Sequence, residues 1–154
     1  MEKSSEKFRK ILDELNLDIE IITFQESTKT SQEAAEQLKI DIAQIGKSII
    51  FKTTKGQFVL IITSGANRIN EKKIENIIND SLLKPTPKEI KDYVGYTIGG
   101  IPPFGHDNPL IVFLDDDLLG FNEIFCAGGT PNAVFKINPL KLEKITKGEW
   151  INVK

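Results

Sequence analysis

Apolar positions change their spacing repeatedly along this chain, and each change marks an element. Phe8, Ile11, Leu12, Leu15 and Leu17 follow the spacing of one buried helix face. They predict a helix over 4–16, with Ser4 or Ser5 as its cap. Residues 19–24 are rich in β-branched side chains and predict a strand. Thr30 or Ser31 then starts a short helix carrying Ala34, Ala35 and Leu38, and Glu33 is spaced from Thr30 as in a capping box. Two strands are predicted over 48–53 and 58–63, joined at Lys55-Gly56 as a hairpin. Ile69, Ile74, Ile77 and Ile78 predict a helix over 70–80, and Pro87 opens another that ends near Val94. The unbroken apolar run 110–114 predicts a fully buried strand. Two more strands, over 122–126 and 133–137, flank Gly128-Gly129-Thr130-Pro131-Asn132, and Pro139 starts a last helix through Lys144. Helices and strands interleave irregularly, which predicts an α/β (α+β) fold on a mixed central sheet.

The chain has 154 residues with no repeat, linker or low-complexity tract, so a single domain over 1–154 is expected. Met1 to Lys10 is charged and lacks an apolar run, which is not the pattern of a signal peptide, and no apolar stretch is membrane-length. Cytoplasmic residence and no membrane partner are therefore expected. The net charge is −2, so any nucleic-acid contact has to come from a local basic patch. Lys84, Lys88 and Lys91, or Lys141, Lys144 and Lys147, are candidate phosphate contacts or simply a solvated face.

The usual catalytic sets are missing. With one cysteine and one histidine, a Cys–His pair would require Cys126 and His106 to meet in space. Cys126 ends an apolar run, where a small buried thiol is the simpler reading. His106 has no partner at zinc-type spacing, and no phosphate-binding loop is present. Asp115-Asp116-Asp117 reads either as a hard-cation site or as a solvated turn after a buried strand. No metal and no cofactor are expected.

What remains is backbone-shaping sequence. Residues 95–106 hold four glycines, two prolines and the histidine, the mixture that builds a rigid backbone able to bind through carbonyls and N–H groups. Gly128-Gly129-Thr130-Pro131-Asn132 repeats the theme. Lys47 leads into an apolar strand on the face of Ile49 and Phe51, so it either snorkels from the strand end or stands at a polar pocket as a cation for phosphate or an ester oxygen. Asn67, in a run of small residues after a strand, is either a ligand contact or an ordinary turn cap.

Taken in order, Lys47 before its strand, Gly95-Tyr96, Gly99-Gly100-Ile101-Pro102-Pro103 and Ala127-Gly128-Gly129 resemble the YbaK family, stand-alone relatives of the editing domain inserted in bacterial prolyl-tRNA synthetases. The resemblance runs from the Phe24 strand to the Pro139 turn. It implies a mixed, partly barrel-like sheet flanked by helices. It also implies a hydrolase that cleaves the carboxylic ester of mischarged tRNA, in trans and on a small amino acid, with the substrate's own 2′-hydroxyl assisting. The alternative on the same fold is a module that binds a tRNA end or a nucleotide without catalysis. The implied partner is the acceptor end of an aminoacyl-tRNA, and an aminoacyl-tRNA synthetase is a further one.

Residue by residue, the resemblance implies that Lys47 holds the terminal adenosine region. Gly99, Gly100 and Pro103 shape the loop that positions the aminoacyl group and the attacking water, with Ile101 beside it and His106 as a neighbouring candidate. Phe24, Asn67, Ala127, Gly128, Gly129, Thr130 and Asn132 complete the candidate substrate-binding set. Ala127 departs from the pattern, since some members carry serine there.

Overall fold

The computed structural model describes residues 4–154. Five α-helices and eight strands form the fold: α1 Ser4–Glu14, β1 Ile22–Thr23, α2 Ser31–Leu38, β2 Ile45–Thr53, β3 Phe58–Ser64, α3 Glu71–Ile78, β4 Leu82–Leu83, α4 Pro87–Val94, β5 Ile111–Asp115, β6 Ile124–Ala127, β7 Ala133–Ile137, α5 Pro139–Thr146 and β8 Glu149–Ile151. The strands join one mixed sheet in the order β1-β7-β6-β2-β3-β5-β8, with β4 paired to β2. β2 and β3 are the antiparallel hairpin read from the sequence, in register from Gly46↔Ser64 to Lys52↔Phe58. β3 runs parallel to β5, β5 to β8 and β2 to β6.

β3 shows why the core lies where it does. Every residue in it is buried, and alternate side chains point to opposite faces of the sheet. Leu60 and Ile62 join a cluster with Phe8 and Leu12 of α1, Ile90 and Val94 of α4 and Leu142 of α5. Val59 and Ile61 face the other way, onto Phe51, Phe113 and Ile74 of α3. A third, smaller cluster sets Ala34 and Ala35 of α2 against Ile45. Two small alanines bring that helix close to the start of β2, and this contact positions the site.

Several expectations need correction. β1 is two residues, not six, and pairs with β7 only at Ile22 and Thr23. β4 and β8 carry no strand signature in the sequence, because pieces of two or three residues are too short to show a period. β2 begins at Ile45, so Lys47 lies inside it rather than at its start. At α2, Thr30 Oγ1 accepts from Glu33 N–H at 3.0 Å. The reciprocal capping box stands instead at Thr86 and Glu89 of α4, where Pro87 opens the helix as expected. The cap expected at Ser4 or Ser5 lies outside the described side chains.

The acidic run 115–117 is more than a solvated turn. Asp115 is fully buried. Its Oδ2 accepts from Thr63 Oγ1 at 3.0 Å, Ser64 N–H at 2.9 Å and Asn67 Nδ2 at 2.8 Å, and its Oδ1 accepts from Asp117 N–H at 3.0 Å. The carboxylate therefore welds the ends of β3 and β5 together. Among the described residues no helix is long and apolar enough to cross a membrane.

Candidate active site

One cavity of about 330 Å³ gathers Lys47, Gly99, Ile101 and Ala127 from the sequence-derived set. It lies where the sheet is incomplete. β6 pairs with β2 only at Ile45 and Gly46, and β4 only at Lys52 and Thr53. Between those points the β2 edge away from β3 has no strand neighbour among the described residues. Gly46, Lys47 and Ser48 line the cavity from this open stretch, and Ile98, Gly99 and Ile101 line it from the glycine/proline loop. The start of α2 and the segment before it supply Lys29, Thr30 and Ser31. None of these last three stands out in the sequence as a site residue, where the only signal is a helix start at Thr30 and Ser31. Contact between α2 and β2 is what brings them beside Lys47.

The loop owes its shape to local chemistry. Gly100 N–H donates to Thr97 C=O at 3.0 Å, closing a turn, and Gly99 within it has φ +90°, a conformation that favours glycine. Ile101 and Phe104 are buried in the main core, with Phe104 5.3 Å from Phe8 and 5.9 Å from Phe135 between ring centroids. Gly100 is buried but does not line the cavity, and its φ is not in the left-handed region. Its role is close approach: an added Cβ would sit 2.8 Å from the Thr130 carbonyl carbon and 2.9 Å from its Cα.

The second loop is tied down in turn. Asn132 Nδ2 donates to Phe24 C=O at 2.7 Å, Phe24 N–H to Asn132 C=O at 2.8 Å, and Thr28 N–H to Pro131 C=O at 2.7 Å. Thr130 Oγ1 donates to Asn132 Oδ1 at 2.9 Å. Phe24, Thr130 and Asn132 thus sit in a bonded frame behind the cavity. Gly128 and Gly129 form the buried β6–β7 turn.

His106 and Asn67 lie elsewhere. With Pro103, His106 lines a second cavity of about 410 Å³ together with Phe104, Asp107 and Ile145. Its Nε2 is 2.7 Å from Pro102 C=O, so Nε2–H pins the loop from behind. Burial, the largest influence, holds its pKa below the ordinary value, although the Pro102 bond and nearby Asp107 pull the other way. The native state therefore prefers neutral imidazole. As pH falls below about 6.5, the unfolded chain takes up a proton that the native chain resists, so this contribution to stability fades. His106→Gln is expected to be less stable than the parent at pH 8, with the gap narrowing toward pH 5. Urea midpoints at the two pH values check this, and a gap that widens on acidification contradicts it.

Asn67 does not reach the cavity. Its Nδ2 donates to Asp115 at 2.8 Å and to Asp117 at 2.7 Å, so its amide is a strut between two loops. Asn67→Ala is expected to lower the unfolding free energy by about 1–3 kcal/mol, because a buried carboxylate loses a donor. Urea denaturation at neutral pH measures it, and an unchanged midpoint would show that water replaces the bond.

The cavity's reactive inventory is short. Among the described residues no aspartate, glutamate or histidine lines it. Cys126 does, but burial pushes its thiol pKa up to about 12, so no thiolate is available at neutral pH. Cys126 and His106 line different cavities, which removes the Cys–His pair. The buried hydroxyls of Ser31 and Ser48, both residues of the wall, have no hydrogen-bond partner among the described residues. The remaining wall is largely apolar, including Ile45, Phe125 and Val134.

A family model described as "Aminoacyl-tRNA editing domain" matches residues 25–145, most of the chain and every wall of this cavity. The chain belongs to the aminoacyl-tRNA editing domain family. Uncharacterized protein YwhH of Bacillus subtilis (strain 168) is 30% identical over 139 residues, covering 90% of this chain and 88% of that one. A proline--tRNA ligase of Fervidobacterium nodosum is 33% identical over 104 residues, covering 67% of this chain but only 18% of the ligase. The match thus spans less than a fifth of that enzyme. A crystal structure of a proposed trans-editing enzyme for prolyl-tRNA synthetase superposes with a TM-score of 0.93 at 34% identity, covering 100% of this chain and 98% of that one. The mixed α/β architecture is therefore that of the editing-domain fold.

Proposed function

We propose that this chain is an aminoacyl-tRNA deacylase acting in trans, which hydrolyses the ester of a tRNA charged with a small wrong amino acid. The observation that carries the reading is the cavity's composition: two lysines, a rigid glycine/proline loop and largely apolar walls, with, among the described residues, no carboxylate or imidazole to serve as base and a thiol held protonated by burial. Most chemistries need more than this, but an aminoacyl ester is already activated. Water adds to the carbonyl carbon, the bond to the ribose oxygen breaks, and the proton passes to that oxygen. Positioning the water and stabilising the developing oxyanion supply most of the rate. The vicinal ribose hydroxyl of the substrate can carry the proton, as the family resemblance implies.

Lys47 is exposed at the mouth and is the residue assigned to the terminal adenosine region. Gly99 and Ile101 face the aminoacyl end, and the frame of Gly100, Thr130 and Asn132 keeps their loop in place. Pro103 and His106 act from behind that loop rather than on the substrate. Ala127 lines the wall without a hydroxyl, so it offers the bound side chain an apolar contact and no hydrogen bond. Binding separates amino acids differing by one methylene by only about 1–3 kcal/mol, which is why a second hydrolytic step is useful at all.

Incubation of the purified protein with a panel of mischarged tRNAs tests the reading. Release of one or a few small amino acids well above the rate in buffer is expected. If no ester is cleaved faster than in buffer, the deacylase reading fails, and binding without turnover identifies a tRNA-end module.

A further inference from the structure

We infer that Lys29 is a second phosphate contact of the site, working with Lys47 to seat the phosphodiesters of the tRNA 3′ end. This rests on the deacylase reading and adds to it a residue and a charge requirement. The protein as a whole is acidic, with 20 Lys and Arg against 22 Asp and Glu. Yet, among the described residues, the cavity is lined by two lysines and no acidic residue. Lys7, Lys52, Lys88, Lys136 and Lys154 are paired with carboxylates, whereas lysines spread singly over the exposed surface, such as Lys39, Lys84 and Lys141, are not. What sets Lys29 and Lys47 apart is that they share one cavity. Lys29 and Lys47 have no ion pair among the described residues. Two unneutralised ammonium groups at one cavity in an acidic protein point to an anionic ligand.

The backbone around Lys29 is built to hold it. Its N–H donates to Ser27 Oγ at 3.2 Å, and the preceding Thr28 is tied to Pro131 C=O through both its N–H and its Oγ1. Gly99 makes room for the side chain: a Cβ on Gly99 would lie 2.6 Å from Lys29 Cβ. Gly99 is therefore needed twice, for its positive φ and for the passage of the Lys29 stem across the loop. The adjoining first turn of α2 adds backbone N–H groups at the same wall.

The test uses the full chain and an uncharged RNA hairpin carrying an acceptor stem and a single-stranded CCA end. Binding is followed by anisotropy between about 50 and 200 mM salt. Lys29→Met keeps most of the stem and removes the charge. It is expected to weaken binding about five- to tenfold at low salt and to make the log–log salt slope shallower by about 0.7, one single-strand phosphate contact. Lys29→Arg should restore the slope, and Lys55→Met at the far hairpin tip should leave it unchanged. On a charged tRNA that is cleaved, Lys29→Met should raise KM with little change in kcat. If the parent binds the hairpin but Lys29→Met keeps its slope, the assignment is wrong while the deacylase reading stands. A loss confined to kcat would make Lys29 a loop support and equally overturn it. Displacement of the hairpin by free AMP with the same dependence on Lys29 would assign the site to a mononucleotide instead. If the parent neither binds the hairpin nor cleaves any ester, the tRNA reading itself falls, and this inference with it.

Discussion

Lys47→Ala is expected to lower kcat/KM for ester hydrolysis by about 100- to 1,000-fold, the usual cost of removing one stabilising donor from a preorganised site. The reasoning is positional. Lys47 stands on the unpaired stretch of β2, exposed, beside Gly46 and Ser48. It projects from a nine-residue strand locked to β3 along its length, so its Cα is rigid while its ammonium is open to a ligand. Binding energy gathered at the nucleotide end is what orients the ester over the loop. Removing the cation therefore costs rate as well as affinity. Lys47→Arg keeps the charge but not the shape of the ammonium group and should recover only part of the loss. Because the side chain is exposed, folding stability should change by no more than about 0.5 kcal/mol. Single-turnover hydrolysis of a cleaved substrate, with a thermal melt of the same sample, reads both quantities. Unchanged turnover removes Lys47 from the mechanism.

Gly100→Ala should be the most damaging conservative change in the loop. The added methyl would meet backbone, not a side chain that can turn away: Thr130 carbonyl carbon at 2.8 Å, Thr130 Cα at 2.9 Å and Pro131 N at 3.1 Å. That backbone is held by its bonds to Phe24 and Thr28. One of two tied loops has to move, at a cost of about 1–3 kcal/mol for overpacking. Displacement of the Gly99–Ile101 wall by even an ångström should also cut hydrolysis by about 100-fold, since catalysis by positioning tolerates little error. The outcome separates two roles for Gly100. A normal melt with normal activity would mean that the loops relax freely. Lost stability with normal activity would mean that the contact supports the fold but not the site.

Much of the fold is legible in the order of residues alone. The β2–β3 hairpin, the longer helices and the two glycine-rich loops announce themselves through period, caps and turn residues, all of which act over a few neighbouring positions. The family resemblance links Lys47 to the loop, and the cavity does hold Lys47, Gly99, Ile101 and Ala127 together. Other roles are not legible in this way. Gly100 reads as a glycine shaping the substrate loop and is a packing position against Thr130. Asn67 reads as a ligand contact or a turn cap and braces Asp115. His106 reads as a catalytic candidate and pins Pro102. Each depends on which remote group lies within a few ångströms, and sequence spacing carries no such information.

The sequence by itself determined the types of the longer elements, the mixed α/β class and the chemistry left out of the site, because composition and short-range patterning are local facts. Tertiary structure decided where the sheet stops pairing along β2, that the start of α2 docks beside that gap, and that Lys29 crosses Gly99 to face the same cavity as Lys47. These are contacts between residues far apart in the chain, set by the packing of Ala34 and Ala35 on Ile45 and of one loop backbone on another. Close packing of that kind is a property of the folded whole and leaves no period in the sequence.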